Sequence, residues 1–190
     1  SPEVLGLCEK HFQRGFSSAA VAYNRGLANV NCEIILCVHQ DVFLPSGWFA
    51  QLQSALVFLE KSDPHWGVLG LCGMTRVGQT RGWVYSTGLE RIVGQPFVAP
   101  EEVRTLDEVL LVIRRSSGLH FDESLKGFHM YGTDICLEAE KLGLRNYVIP
   151  CLAIHNSNGI RNLPIGFWRA YCQIRRKWRN QLPIYSPCAT

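Results

Sequence analysis

The chain has 190 residues, 47% of them hydrophobic and 18% charged, with a formal net charge of +3. That length suits one domain with a substantial core, and the composition excludes a disordered chain. Three surplus positive charges are too few and too dispersed to indicate a nucleic-acid partner.

The elements read as follows in chain order. EVLGLC, residues 3–8, reads as a short strand. Ser17 or Ser18 caps a helix through AAVAYNRGLANV, weakened at Gly26 by about 1 kcal/mol relative to Ala. The run Ile34-Ile35-Leu36-Cys37-Val38 is a strand that stops at His39. Pro45 and Gly47 turn the chain into a helix carrying Trp48, Leu52, Ala55, Leu56 and Leu59 at helical spacing. Asp63-Pro64 ends it, and WGVLGLCGM follows as a buried strand. Residues 75–105, rich in Gly, Arg and Thr, read as an insertion of hairpins and loops. DEVLLVIRR, residues 107–115, contains an apolar run that fits a strand or a buried helix. A helix starts at Thr133, TDICLEAEKLG, with Gly143 suited to its C-cap. NYVIPCLAIH returns as one strand and, like the first, stops at a histidine. Residues 164–180 form a basic helix with Phe167, Tyr171, Ile174 and Trp178 on one stripe. Alternating strands and helices predict a single α/β domain over 1–190 with a mainly parallel sheet flanked by helices.

Eight cysteines would suit a disulfide framework, but Cys32, Cys37, Cys72, Cys136, Cys151 and Cys172 sit in apolar segments, and no CxxC pair occurs. Reduced thiols and a cytoplasmic setting are expected. No apolar run reaches the roughly 18 residues of a spanning helix, and none reads as a signal peptide. The basic terminal helix allows peripheral contact with the inner face of a membrane, through its aromatic stripe and cations. A packed amphipathic helix with a solvated basic face is the simpler alternative.

The chemistry is expected where strands end. Residues two apart in an extended chain point to one side, so His39 and Asp41 can converge while Gln40 faces away. Ligands of open α/β sheets bind beyond the carboxyl ends of strands. If the two histidine-terminated strands are neighbours, His39, Asp41 and His155 make a mixed nitrogen and oxygen set. Such a set suits Mn²⁺, Fe²⁺ or Zn²⁺ better than Ca²⁺. Two unrelated strand ends are the alternative.

AYNRGLANVNCEIILCVHQDVFLP resembles the segment of family 2-like glycosyltransferases in which a helix leads into a strand ending in a D-x-D motif. GLHFDESLKGFHMYGTDICLEAEKLGLRNYVIP is similar to their later segment, with GGFDE, an acidic pair and DLCLRA. VHQDV, HMYGTDICL and IHNS are closer still to the branch that includes a streptomycin biosynthesis protein's glycosyltransferase-like domain. The resemblance runs from about Glu3 to Cys188.

It implies a GT-A fold and an enzyme that moves a sugar, with inversion, from a nucleotide-diphospho-sugar to a hydroxyl of a glycan, a lipid-linked or a small-molecule acceptor. His39 and Asp41 take the D-x-D positions and His155 that of a further histidine ligand, so the implied cofactor is Mn²⁺, or Mg²⁺ in its place. An inverting displacement needs a carboxylate base. The family's acidic pair falls on Tyr131-Gly132, which leaves Asp134, Glu108 and Asp107 as candidates. For Asp134, a stabilising place at a helix start, worth about 0.3–1 kcal/mol, is the alternative. Asn24, Trp83, His129 and Tyr131 are the candidate donor- and acceptor-binding residues. The family's first strand and helix are expected to be missing ahead of Ser1. The lost acidic pair motivates the other reading, a GT-A binding or scaffold module without transfer.

Overall fold

The computed structural model describes residues 2–157 and 162–187. Its elements are α1 (Pro2–Leu7), α2 (Ala19–Asn29), β1 (Ile34–Val38), β2 (Val42–Phe43), α3 (Trp48–Ser62), β3 (Trp66–Gly70) and β4 (Cys72–Met74). Then come β5 (Thr80–Ser86), β6 (Arg91–Gly94), β7 (Glu101–Val103), β8 (Thr105–Leu106), β9 (Leu110–Arg114), α4 (Tyr131–Lys141), β10 (Arg145–Val148), β11 (Ile154–His155) and α5 (Ile165–Lys177).

A first sheet has the order β1-β9-β3-β10-β7. β1, β3 and β10 run in one direction, because β9 is antiparallel to both β1 and β3 while β3 and β10 pair parallel. β7 closes the edge antiparallel to β10. The α/β expectation holds, but the sheet is mixed rather than mainly parallel in its pairings. Residues 71–109, which join β3 to β9 through the strands of the second sheet, bring the chain back antiparallel, whereas α3 is the crossover between the parallel-running β1 and β3.

Apolar clusters cover both faces of this sheet. Leu111 and Ile113 join the one built on α2, α4 and α5, while Leu110 and Val112 join the one built on α3. Burial on both faces explains why the β9 run shows no alternation and fits a helix equally well in sequence. It is a strand.

A second sheet, β2-β11-β5-β4-β8 with β6 on β5, stands beside the first. The chain repeatedly leaves one sheet for the other: at 39–41 between β1 and β2, at Leu71 between β3 and β4, at 107–109 between β8 and β9, and at 149–153 between β10 and β11. WGVLGLCGM and NYVIPCLAIH, each expected as one strand, are therefore split. In the second, Pro150 lacks the N–H that a continuing ladder requires.

Two boundaries differ from expectation. EVLGLC is helical, not extended: Pro2 opens α1 and Glu3 lies in its first turn, both favourable at a helix start. α4 begins at Tyr131, two residues before Thr133, because Met130 adopts φ 65° and turns the chain early. Gly143, at φ +76°, ends that helix as expected. α5 buries Phe167, Ala170, Ile174 and the following Trp178. The seven described cysteines are free, but Cys32 and Cys172 are exposed rather than enclosed in apolar surroundings. Burial pushes the thiols of Cys37, Cys72 and Cys151 up to about 12. Cys188 and Ser1 lie outside the described residues. No helix among them is long and apolar enough to cross a membrane.

Candidate metal and nucleotide-sugar site

The seam between the two sheets gathers the polar residues. His39 still donates its backbone N–H to Val109 O (3.2 Å), one step beyond β1, and then accepts from Val42 N–H (3.3 Å) as the chain turns. That turn presents Asp41, whose carbonyl accepts from Asn156 N–H (2.8 Å). β11 lies between β2 and β5, so His155 pairs with Val42 on one side and Ser86 on the other. Two strand ends more than a hundred residues apart in sequence thus become neighbours.

One potential ligand atom from each of His39, Asp41 and His155 lies within 4.8 Å of the others, and all three residues are half-buried. His155 Nε2 is 3.4 Å from Asp41 Oδ2, and the two imidazole centroids are 6.3 Å apart. Asp41 Oδ1 is buried with no hydrogen-bond partner among the described residues. Burial lowers the pKa of His39, against the pull of the Asp107 and Asp41 charges, which favours the neutral ring that a metal ligand must be.

Tyr131 stands behind His39. The imidazole Nε2 is 2.5 Å from Tyr131 Oη, and that hydroxyl donates to Glu108 O (3.2 Å). Tyr131 is buried and packed between the Tyr23 and Phe121 rings. Burial, then the neighbouring Tyr23 and Glu108, raise its pKa well above the usual phenol value, so it stays protonated.

Glu108 is half-buried in the β8–β9 connection, its side chain against the start of α4. Burial, then the Asp107 charge, push its carboxyl up to about 8, although the backbone N–H groups of Glu108, Gly132 and Met130 bond to it and pull the other way. A Cβ on Gly132 would stand 3.1 Å from Glu108 Cγ and 2.8 Å from Leu106 O. Glycine here is a requirement of space. Asp107 Oδ1 accepts from Val109 N–H (3.0 Å), and the charge of Asp107 reaches His39.

The other expected site residues are placed differently. Asp134, 1% exposed, is not free to act as a base. Lys177 Nζ is 2.9 Å from its Oδ1, and Trp178 Nε1 donates to it at 2.7 Å. Asn24 clasps the 121–123 loop, donating to Phe121 O and Glu123 Oε1 and accepting from Phe121 N–H, so its polar atoms are already used. Trp83 lies three residues before Ser86 on β5, and strand alternation turns it to the opposite face from His155. His129 packs against Phe167, ring centroids 5.8 Å apart, and burial lowers its pKa.

Sequence reasoning missed Tyr23, the packing partner of Tyr131, and the pairing of Lys177 with Asp134. Nothing local singles out Tyr23, because as Asn24's neighbour in α2 it points about 100° away from it. For Lys177 no local signal exists, because its carboxylate lies 43 positions away.

A two-sheet α/β domain with an acidic and imidazole rim at the sheet seam has the GT-A architecture of glycosyltransferases. Its fold is similar to that in the crystal structure of GalNAc-T7 with UDP, GalNAc and Mn2+, with a TM-score of 0.58 over 85% of this chain and 35% of that one, at 13% sequence identity. The chain belongs to the Glycosyltransferase like family, which matches residues 8–158. It is also 32% identical, over 157 residues, to the "ATP synthase subunits region ORF 6" protein of Fuscovulum blasticum. That match covers 79% of this chain and spans 61% of the relative's length.

Proposed function

We propose that the domain is a metal-assisted glycosyltransferase that moves a sugar, with inversion, from a nucleotide-diphospho-sugar to an acceptor hydroxyl. The observation that carries this reading is Asp41. A buried carboxylate oxygen without a partner is uncommon in a native structure and calls for an ion or an ordered water. The same carboxylate stands beside two imidazoles, its Oδ2 3.4 Å from His155 Nε2.

The donor set fits a divalent cation. Ligands at roughly 2.0–2.2 Å from one ion stand up to about 4.4 Å apart, so a span of 4.8 Å closes with a small side-chain adjustment. Two nitrogens and one oxygen admit Mn²⁺, Fe²⁺ or Zn²⁺, and among these Mn²⁺ is the choice supported by the GalNAc-T7 structure of the same fold, which holds Mn2+ with UDP. A cation on His39, Asp41 and His155 would act as a Lewis acid, neutralising charge on the departing diphosphate. Tyr131 positions His39 from behind: it engages one ring nitrogen and leaves the other for the ligand role, as outer partners of metal-bound histidines do.

In a single displacement the acceptor oxygen bonds to the anomeric carbon as the bond to the diphosphate oxygen breaks. The hydroxyl proton then passes to a carboxylate. We assign that carboxylate to Glu108. Gly132 stands where the family carries an acidic side chain, and the Glu108 side chain occupies the space that a side chain at 132 would need. Its raised pKa suits a group that must take a proton near neutrality. Asp107 assists by its charge.

Calorimetry with Mn²⁺ and a panel of UDP-, GDP- and TDP-sugars tests the reading. Metal-dependent donor binding that disappears in Asp41→Asn and His155→Ala is expected. Absence of binding to every donor would overturn it. Binding without transfer to any hydroxyl acceptor would favour the scaffold-module reading, which the absent acidic pair at Tyr131-Gly132 supports.

A further inference from the structure

The net charge of +3 hides a strong polarity. Residues 1–140 carry 11 Lys and Arg against all 16 Asp and Glu, a balance of −5, whereas residues 141–190 carry 8 Lys and Arg and no acid, a balance of +8. The expectation of dispersed charge is thereby corrected: the positive surplus collects in the last fifty residues.

α5 displays much of it. One face is turned into the core through Phe167, Ala170, Ile174 and the following Trp178. Lys177 is engaged by Asp122, Asp134 and Glu138. At 3.6 residues per turn the opposite face carries Ile165, Arg169, Cys172 and Arg176, with Trp168 beside them and Arg179 just past the helix end. Ile165 is 68% exposed and Trp168 47%, so neither is spent on the core. Arg169, Arg176 and Arg179 are exposed and form no ion pair among the described residues.

We propose that this outer face of α5 rests in the plane of an anionic membrane surface, its arginines on lipid phosphates and Trp168 and Ile165 at headgroup depth. Charge complementarity selects an anionic partner. The interleaved apolar side chains select a lipid interface over a nucleic acid, since an exposed isoleucine gains nothing from a polyphosphate backbone. A helix of 13 residues is about 20 Å long, which suits lying in the interface rather than crossing it. The opposite face is already docked on the domain, so binding requires no refolding.

The test is co-sedimentation of the 190-residue chain with phosphatidylcholine vesicles, with and without phosphatidylglycerol. Binding only to the phosphatidylglycerol vesicles, weakened by salt, is expected. Arg169→Glu with Arg176→Glu lowers the partition about tenfold or more, and Trp168→Ala lowers it by a smaller, measurable factor. An unchanged thermal midpoint shows that these exposed substitutions leave the fold intact. The proposal falls if the chain pellets with neither vesicle or equally with both. It falls equally if the doubly reversed variant pellets like the parent, or if Trp168→Ala binds as the parent does while a single-stranded oligonucleotide displaces both.

Discussion

Tyr131 and Asp134 stand one turn apart on α4, both buried, yet they belong to opposite kinds of polar site. Around Asp134 every demand is met: Lys177 and Trp178 bond its carboxylate, and Asp122 and Glu138 complete the shell around Lys177. That knot ties α5 to the domain. Around Tyr131 the hydrogen bonds reach His39, and beside that ring Asp41 keeps a buried oxygen with no partner among the described residues. A closed network of charges holds structure; an open one is left to be completed by something that binds. The two regions teach where to look for chemistry in a helix whose sequence shows only one acid near its start.

The largest effect should come from the open side. Glu108→Gln keeps an oxygen for the α4 N–H groups but cannot take a proton, so kcat should fall about 10²–10⁴-fold with donor binding unchanged by calorimetry. The sign of the pH dependence follows from the raised carboxyl. Below about 8 Glu108 is protonated and cannot act as a base. Transfer should therefore rise with pH and level off above about 8, and the residual rate of the variant should lose that limb. A fully active Glu108→Gln enzyme would return the base to Asp107.

Asp134→Ala should do the reverse, costing stability rather than donor affinity. Removing one partner of a buried ion pair typically costs about 3–5 kcal/mol. The lower end, about 3 kcal/mol, applies because Asp122 and Glu138 still hold Lys177. Urea denaturation reads the loss, and Mn²⁺ and donor binding to the folded fraction should be unaltered. A normal stability with lost transfer would mean that Asp134 is the base after all.

Tyr131→Phe keeps the ring packed on Tyr23 and Phe121 and deletes only the hydroxyl. Losing the outer partner of a metal-bound histidine costs about 10–100-fold in metal affinity, read by Mn²⁺ titration followed by electron paramagnetic resonance. An unchanged affinity would separate His39 from the cation.

Legibility in the sequence followed the range of the physical cause. The grouping of His39, Asp41 and His155 could be anticipated because the habit of ligands to sit at strand ends is a local rule, although a turn at 40–41 rather than alternation along a strand presents Asp41. The strands β1 and β3 and the helices α2, α3 and α4 were readable from apolar spacing for the same reason. α1 was misread because six residues are too few to show a period. The direction of β9 depends on what lies between it and β3, not on its own residues. The exchange between Gly132 and Glu108, where one position yields the space that another fills, is invisible until β8, β9 and α4 are brought together. Asp134 looked catalytic because its counter-ion lies on another helix.

The smallest effect belongs to the rim of the closed network. Burial pushes Asp122 up, but hydrogen bonds from Lys177 and Ser124 outweigh it and hold the carboxyl down at about 2, below its ordinary 3.8. A depressed carboxyl stabilises the fold above the unfolded value and loses that contribution as pH falls through the folded one. Stability should therefore decline between about pH 4 and pH 2 by an amount assignable to this group, seen as the difference between the parent and Asp122→Asn in urea midpoints at successive pH values. Above pH 4 the difference should be about 1 kcal/mol or less, since the pair is partly exposed and screened, and it should vanish near pH 2. A difference that persists at pH 2 would show that Asp122 acts through its hydrogen bonds with Ser124 rather than through its charge on Lys177.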